Sequence, residues 1–137
     1  DQPRSRGLGD VYKRQEFDTC YAAFYEISPG KANYPYHYHT ASTELFYIIG
    51  GEGVLETPEG EKRVKAGDVI VCPPGERAAH LLRNPSETET LSYLDVDTVQ
   101  SPEVVRYPRS GKTGVIVHNV SAGFFRDADS VDYYEGE

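Results

Sequence analysis

His37-Tyr38-His39, followed by Glu44, is the part of the chain with the clearest chemistry. In an extended strand alternate side chains share a face, so His37 and His39 point one way and Tyr38 the other. Thr40-Ala41-Ser42-Thr43 is long enough for a turn or bend to return the Glu44 carboxylate to the two imidazoles. Glu44 heads an otherwise apolar run, where a lone buried carboxylate would be unfavourable. His80 arrives much later, in Glu76-Arg77-Ala78-Ala79-His80. Three imidazoles and one carboxylate meeting inside a barrel would hold a divalent transition metal. The donor set suits Fe(II), Mn(II), Ni(II), Co(II) or Zn(II) and does not choose among them. An open coordination position would polarise a carbonyl or enolate oxygen, or bind dioxygen. Isomerisation would also need a general base, and no second carboxylate or lysine can be placed near the metal from sequence; catalytic residues stay unassigned.

The neighbouring residues read more plainly. Tyr34 and Tyr36 stand just before the histidines and are expected as core or rim aromatics. Arg77, in the loop entering His80, reads as a solvated arginine that could meet an anionic ligand. Cys72 is expected to pack inertly. His118 reads as structural or exposed.

These residues must be carried by a short chain of 137 residues, enough for one domain with a real core. The formal net charge is -8, which argues against nucleic acid and anionic membranes as partners. No apolar run is long enough for a transmembrane helix and no signal-peptide pattern appears. A cytoplasmic protein with Cys20 and Cys72 as reduced thiols is expected.

The start of the chain looks foreign. Ser5-Arg6-Gly7-Leu8-Gly9-Asp10-Val11-Tyr12-Lys13-Arg14-Gln15 resembles a translated transposase sequencing-library adapter. Residues 1–15 are therefore set apart from fold reasoning, and native N-terminal residues are expected to be missing. Without Asp1, Asp10, Arg4, Arg6, Lys13 and Arg14 the balance becomes 10 basic against 20 acidic residues.

From Glu16 onward the pattern is short strands with turn signals. Cys20–Ile27 alternates roughly and stops at Ser28-Pro29-Gly30. Tyr34, before Pro35, is biased away from helix, so the approach to the histidines is extended. Glu44–Ile49 is a strand with Glu44, Phe46 and Ile48 inward and Leu45, Tyr47 and Ile49 outward. Both sets are apolar beyond Glu44, which suits a strand covered on both sides. Val54–Thr57 and Lys62–Val64 flank the turn Pro58-Glu59-Gly60. Val69–Cys72, Ala79–Leu82, Leu91–Val96 and Val104–Tyr107 follow, with Gly/Pro/Asn punctuation between them. The tail from Ser110 is less regular, with an edge strand expected over 114–118. Asp127–Glu137 is acidic and carries Tyr133-Tyr134, expected over a barrel mouth or against a partner. Strands at this spacing read as an all-β sandwich or barrel.

The histidine motif now carries a resemblance. The chain resembles a small single-domain cupin of the type-2 kind, an all-β double-stranded β-helix or jelly-roll barrel. The family's first motif, G-x5-H-x-H-x3,4-E-x6-G, is met by His37, His39, Glu44 and Gly51, with Gly30 one residue further upstream than usual. The second, G-x5-P-x-G-x2-H-x3-N, is met by Gly67, Pro73 and Gly75. The histidine slot then holds Ala78, and His80 follows two residues later with Asn84 at the expected step. A longer loop between Gly75 and His80 is the simplest repair. The likeness covers about residues 20–107, leaving 108–137 as a C-terminal extension of one domain spanning 16–137.

The resemblance implies metal binding by His37, His39, Glu44 and His80. It is nearest to small cupins without an assigned substrate, including those loosely labelled sugar-isomerase-like. One reading is a metal-dependent enzyme on a small polar sugar- or carboxylate-type substrate, by isomerisation, decarboxylation or dioxygenation. The other is a non-catalytic module that holds a metal or a small-molecule ligand. A homodimer is expected from Leu45–Ile49, the aromatic tail and the family.

Overall fold

The structure is a computed structural model that describes the backbone of residues 10–16 and all of residues 19–137. Residues 1–9 of the adapter-like stretch lie outside the described residues, and 10–15 fall in the first strand. Among the described residues twelve strands run in chain order: β1 (Asp10–Glu16), β2 (Cys20–Ile27), β3 (Ala32–His39), β4 (Glu44–Gly50), β5 (Glu52–Thr57) and β6 (Gly60–Lys65). Then come β7 (Val69–Cys72), β8 (His80–Arg83), β9 (Leu91–Thr98), β10 (Glu103–Tyr107), β11 (Lys112–Val117) and β12 (Ser121–Arg126). Two 3-10 turns, Glu76–Ala78 and Asp127–Asp129, supply the helical content of the described residues. No helix among them is long and apolar enough to cross a membrane.

The strands form two antiparallel sheets. One has five strands in the order β1-β2-β9-β4-β7, and the other seven in the order β12-β11-β10-β3-β8-β5-β6. Two-residue periodicity decides what lies between them. Tyr21, Ala23, Tyr25 and Ile27 of β2, Phe46 and Ile48 of β4, and Leu91 and Tyr93 of β9 project inward and are buried. From the facing sheet Leu55, Val64 and Leu82 close on them. The outward set of β4 stays open: Tyr47 is 42% exposed and Ile49 45%.

Turn chemistry fixes the corners. Gly51 sits at φ +81°, and a Cβ there would lie 2.4 Å from the Thr90 carbonyl oxygen. Only glycine fits that corner without displacing backbone. Asn84 ties another corner, donating from Nδ2 to the Ile27 carbonyl at 2.9 Å and the Glu89 carbonyl at 2.7 Å.

The C-terminal third corrects the sequence reading. The strand expected at an edge over 114–118 is β11, which lies between β10 and β12. The edge is β12, whose Ser121-Ala122-Gly123-Phe124 gives no alternating apolar signal because nothing covers either side of most of it. Strand β9 also runs on to Thr98, past the point where Asp95 and Asp97 interrupt the apolar alternation. Tyr133 and Tyr134 pack edge to face on each other and remain largely exposed, so the tail does not close the barrel.

Candidate metal centre

Strand β3 reaches its histidines through a kink. Tyr34 adopts a positive φ of 60° before Pro35, and the pairing with β8 shifts register between Asn33 and His37. The shift sets His37 directly opposite His80, so both rings project into the barrel. His39 follows two residues on, on the same face. The two extra residues before His80 are taken up in the 3-10 turn Glu76–Ala78. Gly75 N–H donates to the His39 carbonyl at 2.8 Å, tying that loop to β3.

Glu44 comes from the opposite sheet. Its Oε2 atom lies 2.8 Å from His80 Nε2, 3.4 Å from His37 Nε2 and 3.6 Å from His39 Nε2. Two ligands about 2.1 Å from one ion, at near-octahedral or tetrahedral angles, stand roughly 3.0–3.5 Å apart. The separations to His37 and His39 are close to that size, and the one to His80 is shorter. His37, His39 and Glu44 present ligand atoms all within 4.8 Å of one another, close enough to share an ion. Glu44 Oε2 and His80 Nε2 are buried, and despite their proximity neither makes an aligned hydrogen bond.

The far ring nitrogens explain the orientation. His37 Nδ1 lies 2.8 Å from the Pro35 carbonyl, and His80 Nδ1 lies 2.8 Å from the Ala78 carbonyl. A carbonyl accepts only, so each Nδ1 carries a proton, and in the neutral ring it is Nε2 that offers its lone pair to the centre. This tautomer is the one a metal-binding imidazole requires. His39 Nδ1 is 3.8 Å from Glu103 Oε1.

Without an ion these groups act on one another. Burial works against the Glu44 carboxylate, but the surrounding imidazoles hold it well below the usual range. Burial alone would pull His80 down; the adjacent Cys72 sulfur and Glu44 carboxylate overcome it and push His80 up to about 11. His39 is likewise raised by Glu44 against the effect of burial.

Three acidic residues at this site were missed by the sequence reading. Asp97 pairs with Glu44 across β9 and β4, and Asp95 pairs with Phe46. Glu44, Asp95 and Asp97 bring carboxylate oxygens within 4.8 Å of one another. Burial first, then the neighbouring carboxylates, raise Asp95 and Asp97 well above the ordinary aspartate value. The third is Glu103, buried on β10. It accepts from the backbone N–H groups of Thr40 at 3.0 Å, Ala41 at 3.1 Å and Ser42 at 2.9 Å, and from the Ser42 hydroxyl at 2.5 Å. That carboxylate fixes the loop joining the histidines to Glu44.

The imidazoles and Glu103 thus lie on the seven-stranded sheet, and Glu44, Asp95 and Asp97 on the five-stranded one. Phe46 walls the floor, its ring 5.5 Å from that of His80. Tyr34 packs 6.3 Å from the His37 ring and donates to the Tyr25 hydroxyl at 2.7 Å. Arg109 covers the Tyr36 ring, 4.0 Å from its centroid. Cys72 faces inward opposite Glu44 and is free, as is Cys20. A groove of about 510 Å³ between β6 and β7 reaches Cys72 and His80, and Arg77 lines it. His118 lies outside the centre, at the end of β11.

A family model for the cupin domain matches residues 23–97, more than half of the chain. The chain belongs to the cupin domain family. A candidate sugar phosphate isomerase from Acidithiobacillus ferrooxidans is 25% identical with a TM-score of 0.74, over 94% of this chain and 90% of its own. A cupin-superfamily sugar phosphate isomerase from Silicibacter pomeroyi is 19% identical with a TM-score of 0.76, over 93% and 91%. A predicted oxalate decarboxylase from Thermotoga maritima is 30% identical with a TM-score of 0.54, over 61% of this chain and 69% of its own. No curated protein matches the chain.

Proposed function

We propose that His37, His39, Glu44 and His80 hold a divalent transition metal, and that the protein is a metal-dependent enzyme for a small polyhydroxylated carbonyl substrate. The observation that carries this reading is the convergence of three Nε2 atoms on one Glu44 oxygen, with the His37 and His80 rings locked by backbone carbonyls. When bound, such an ion supplies a Lewis acid for a carbonyl or enolate oxygen.

The chain's own part is proton handling. Asp95 is buried and Asp97 half-buried beside it, and their environment favours keeping protons. Two like carboxyls in one dry site cannot both ionise easily, so one accepts while its neighbour donates. In an isomerisation, Asp97 would take the proton from the hydroxyl-bearing carbon next to the carbonyl and return it to the former carbonyl carbon, while the hydroxyl proton passes to the former carbonyl oxygen, with no oxidant or reductant required. The Acidithiobacillus protein supports this choice over decarboxylation or dioxygenation. Its match leaves out only about eight residues of this chain and so extends into β11 and β12.

The outer face of the five-stranded sheet supports a homodimer. Ala22, Val96, Leu45 and Val71 form one cross-strand row, and Phe24, Leu94, Tyr47 and Val69 the next. Across these four strands neither row contains a charge, on a chain of net charge -8. A second copy presenting the same uncharged face is the occupant that avoids bringing the acidic surfaces together.

The test is elemental analysis of protein purified without added metal. Near-stoichiometric metal is expected, with most of it lost in His39→Ala while the circular dichroism spectrum is kept. Unchanged metal in that variant rejects the centre. Metal without turnover of any sugar or sugar phosphate would leave a binding module.

A further inference from the structure

The inward face of the seven-stranded sheet carries one row of side chains that begins in the metal centre and leaves it. His80 on β8 is opposite His37 on β3. Between β3 and β10, His39 is opposite Val105 and Tyr38 opposite Arg106. The next step brings Tyr107 beside His37, and the two rings are 6.0 Å apart. Tyr107 is opposite Lys112 on β11, and Lys112 is opposite Arg126 on β12. Residues directly opposite across a ladder share a face. With neighbouring strands about 4.8 Å apart, Lys112 stands roughly 10 Å from His37.

Lys112 differs from the other cations of this face. Lys62 pairs with Glu59 and Arg126 with Asp129. Lys112 forms no ion pair among the described residues, and its ammonium lies 5.1 Å from the centroid of the Tyr107 ring. That ring also packs against a second aromatic ring. Phe124 packs 6.0 Å from it, over Gly114, where a Cβ would come within 2.9 Å of the Phe124 ring. A cation on a fixed aromatic platform keeps its charge available to a ligand. The interior beyond His37 holds the Glu44 and Glu103 carboxylates, which repel an anion, so a negatively charged group is favoured at the Lys112 end of the row.

We propose that Lys112, on its Tyr107 platform, binds the terminal oxyanion, a phosphate monoester or a carboxylate, of a substrate whose reacting end lies at the His37, His39, His80 and Glu44 centre. This inference rests on the metal-centre reading for the position of the reacting end.

Isothermal titration of metal-loaded protein with short-chain sugar monophosphates, the matching sugar acids and the free sugars tests it. At least one anionic probe is expected to bind on the order of tenfold more tightly than its neutral sugar, with the gain falling as salt rises. The gain disappears in Lys112→Gln and persists in Lys112→Arg. Whether phosphates or sugar acids show it names the source of the oxyanion. An anionic gain unchanged in Lys112→Gln overturns the proposal, as does no gain for any probe in the unaltered protein. Elemental analysis of each sample separates this result from the centre itself. Metal-free protein that still loses its anionic gain in Lys112→Gln would sink the metal centre and keep the anion site.

Discussion

Glu44 Oε2 is surrounded by three imidazoles and accepts an aligned hydrogen bond from none of them. In the ion-free protein His80, pushed up to about 11, keeps its proton across the neutral range. A metal must displace that proton, so affinity rises with pH, by about tenfold per unit for one proton released. Metal titrations between pH 6 and 8 check this, and a flat profile would mean that His80 is already neutral. The sign for ion-free stability is mixed. His80, raised above its ordinary 6.5, stabilises the fold below that value, and its contribution is lost as pH climbs towards about 11. Glu44, held low, stabilises above the ordinary carboxylate value, and its contribution fades as pH falls through the depressed one. His37, His39 and Glu44 were legible because their types and spacing are unusual for a strand. Asp95 and Asp97 were not, since acids two apart on a strand look the same whether they face solvent or a cavity.

At the scale of elements, the loop between β3 and β4 matters most, and Glu103 holds it from β10. Glu103→Ala leaves the buried Ser42 N–H and hydroxyl without their acceptor, a loss of about 1–3 kcal/mol. Because the loop sets the distance between the histidines and Glu44, metal affinity is expected to fall about 10- to 100-fold. Denaturant unfolding and a metal competition assay measure the two effects; loss of stability with unchanged metal affinity would make Glu103 purely structural. Strand boundaries from β2 to β10 were readable to within one to three residues because Gly, Pro and Asn interrupt an alternating pattern. The 3-10 turn Glu76–Ala78 was readable only as a surplus of two residues before His80. Strand β12 left no such trace, since a strand that buries little has no reason to alternate.

At the scale of the whole molecule, a chain of net charge -8 carries an uncharged face across β2, β9, β4 and β7. Tyr47→Glu with Val71→Glu should turn the dimer into monomer while leaving metal content unchanged, read by sedimentation velocity and elemental analysis. A monomeric unaltered protein would dismiss the dimer. The adapter resemblance makes a separate demand. A chain starting at Glu16 is expected to fold and to hold metal as the longer one does, because the proposed ligands stand on β3, β4 and β8; loss of the folded circular dichroism signal would assign the segment to the protein proper.

The division of the centre between the sheets has a mechanical consequence. Nitrogen donors arrive from one layer and the oxygen donor from the other, so an ion bound by all four would rivet the sandwich through its middle. Chelation would then unfasten two layers rather than empty a socket in one of them. Faster amide exchange should follow along β4 and β3 together, on opposite walls of the same barrel.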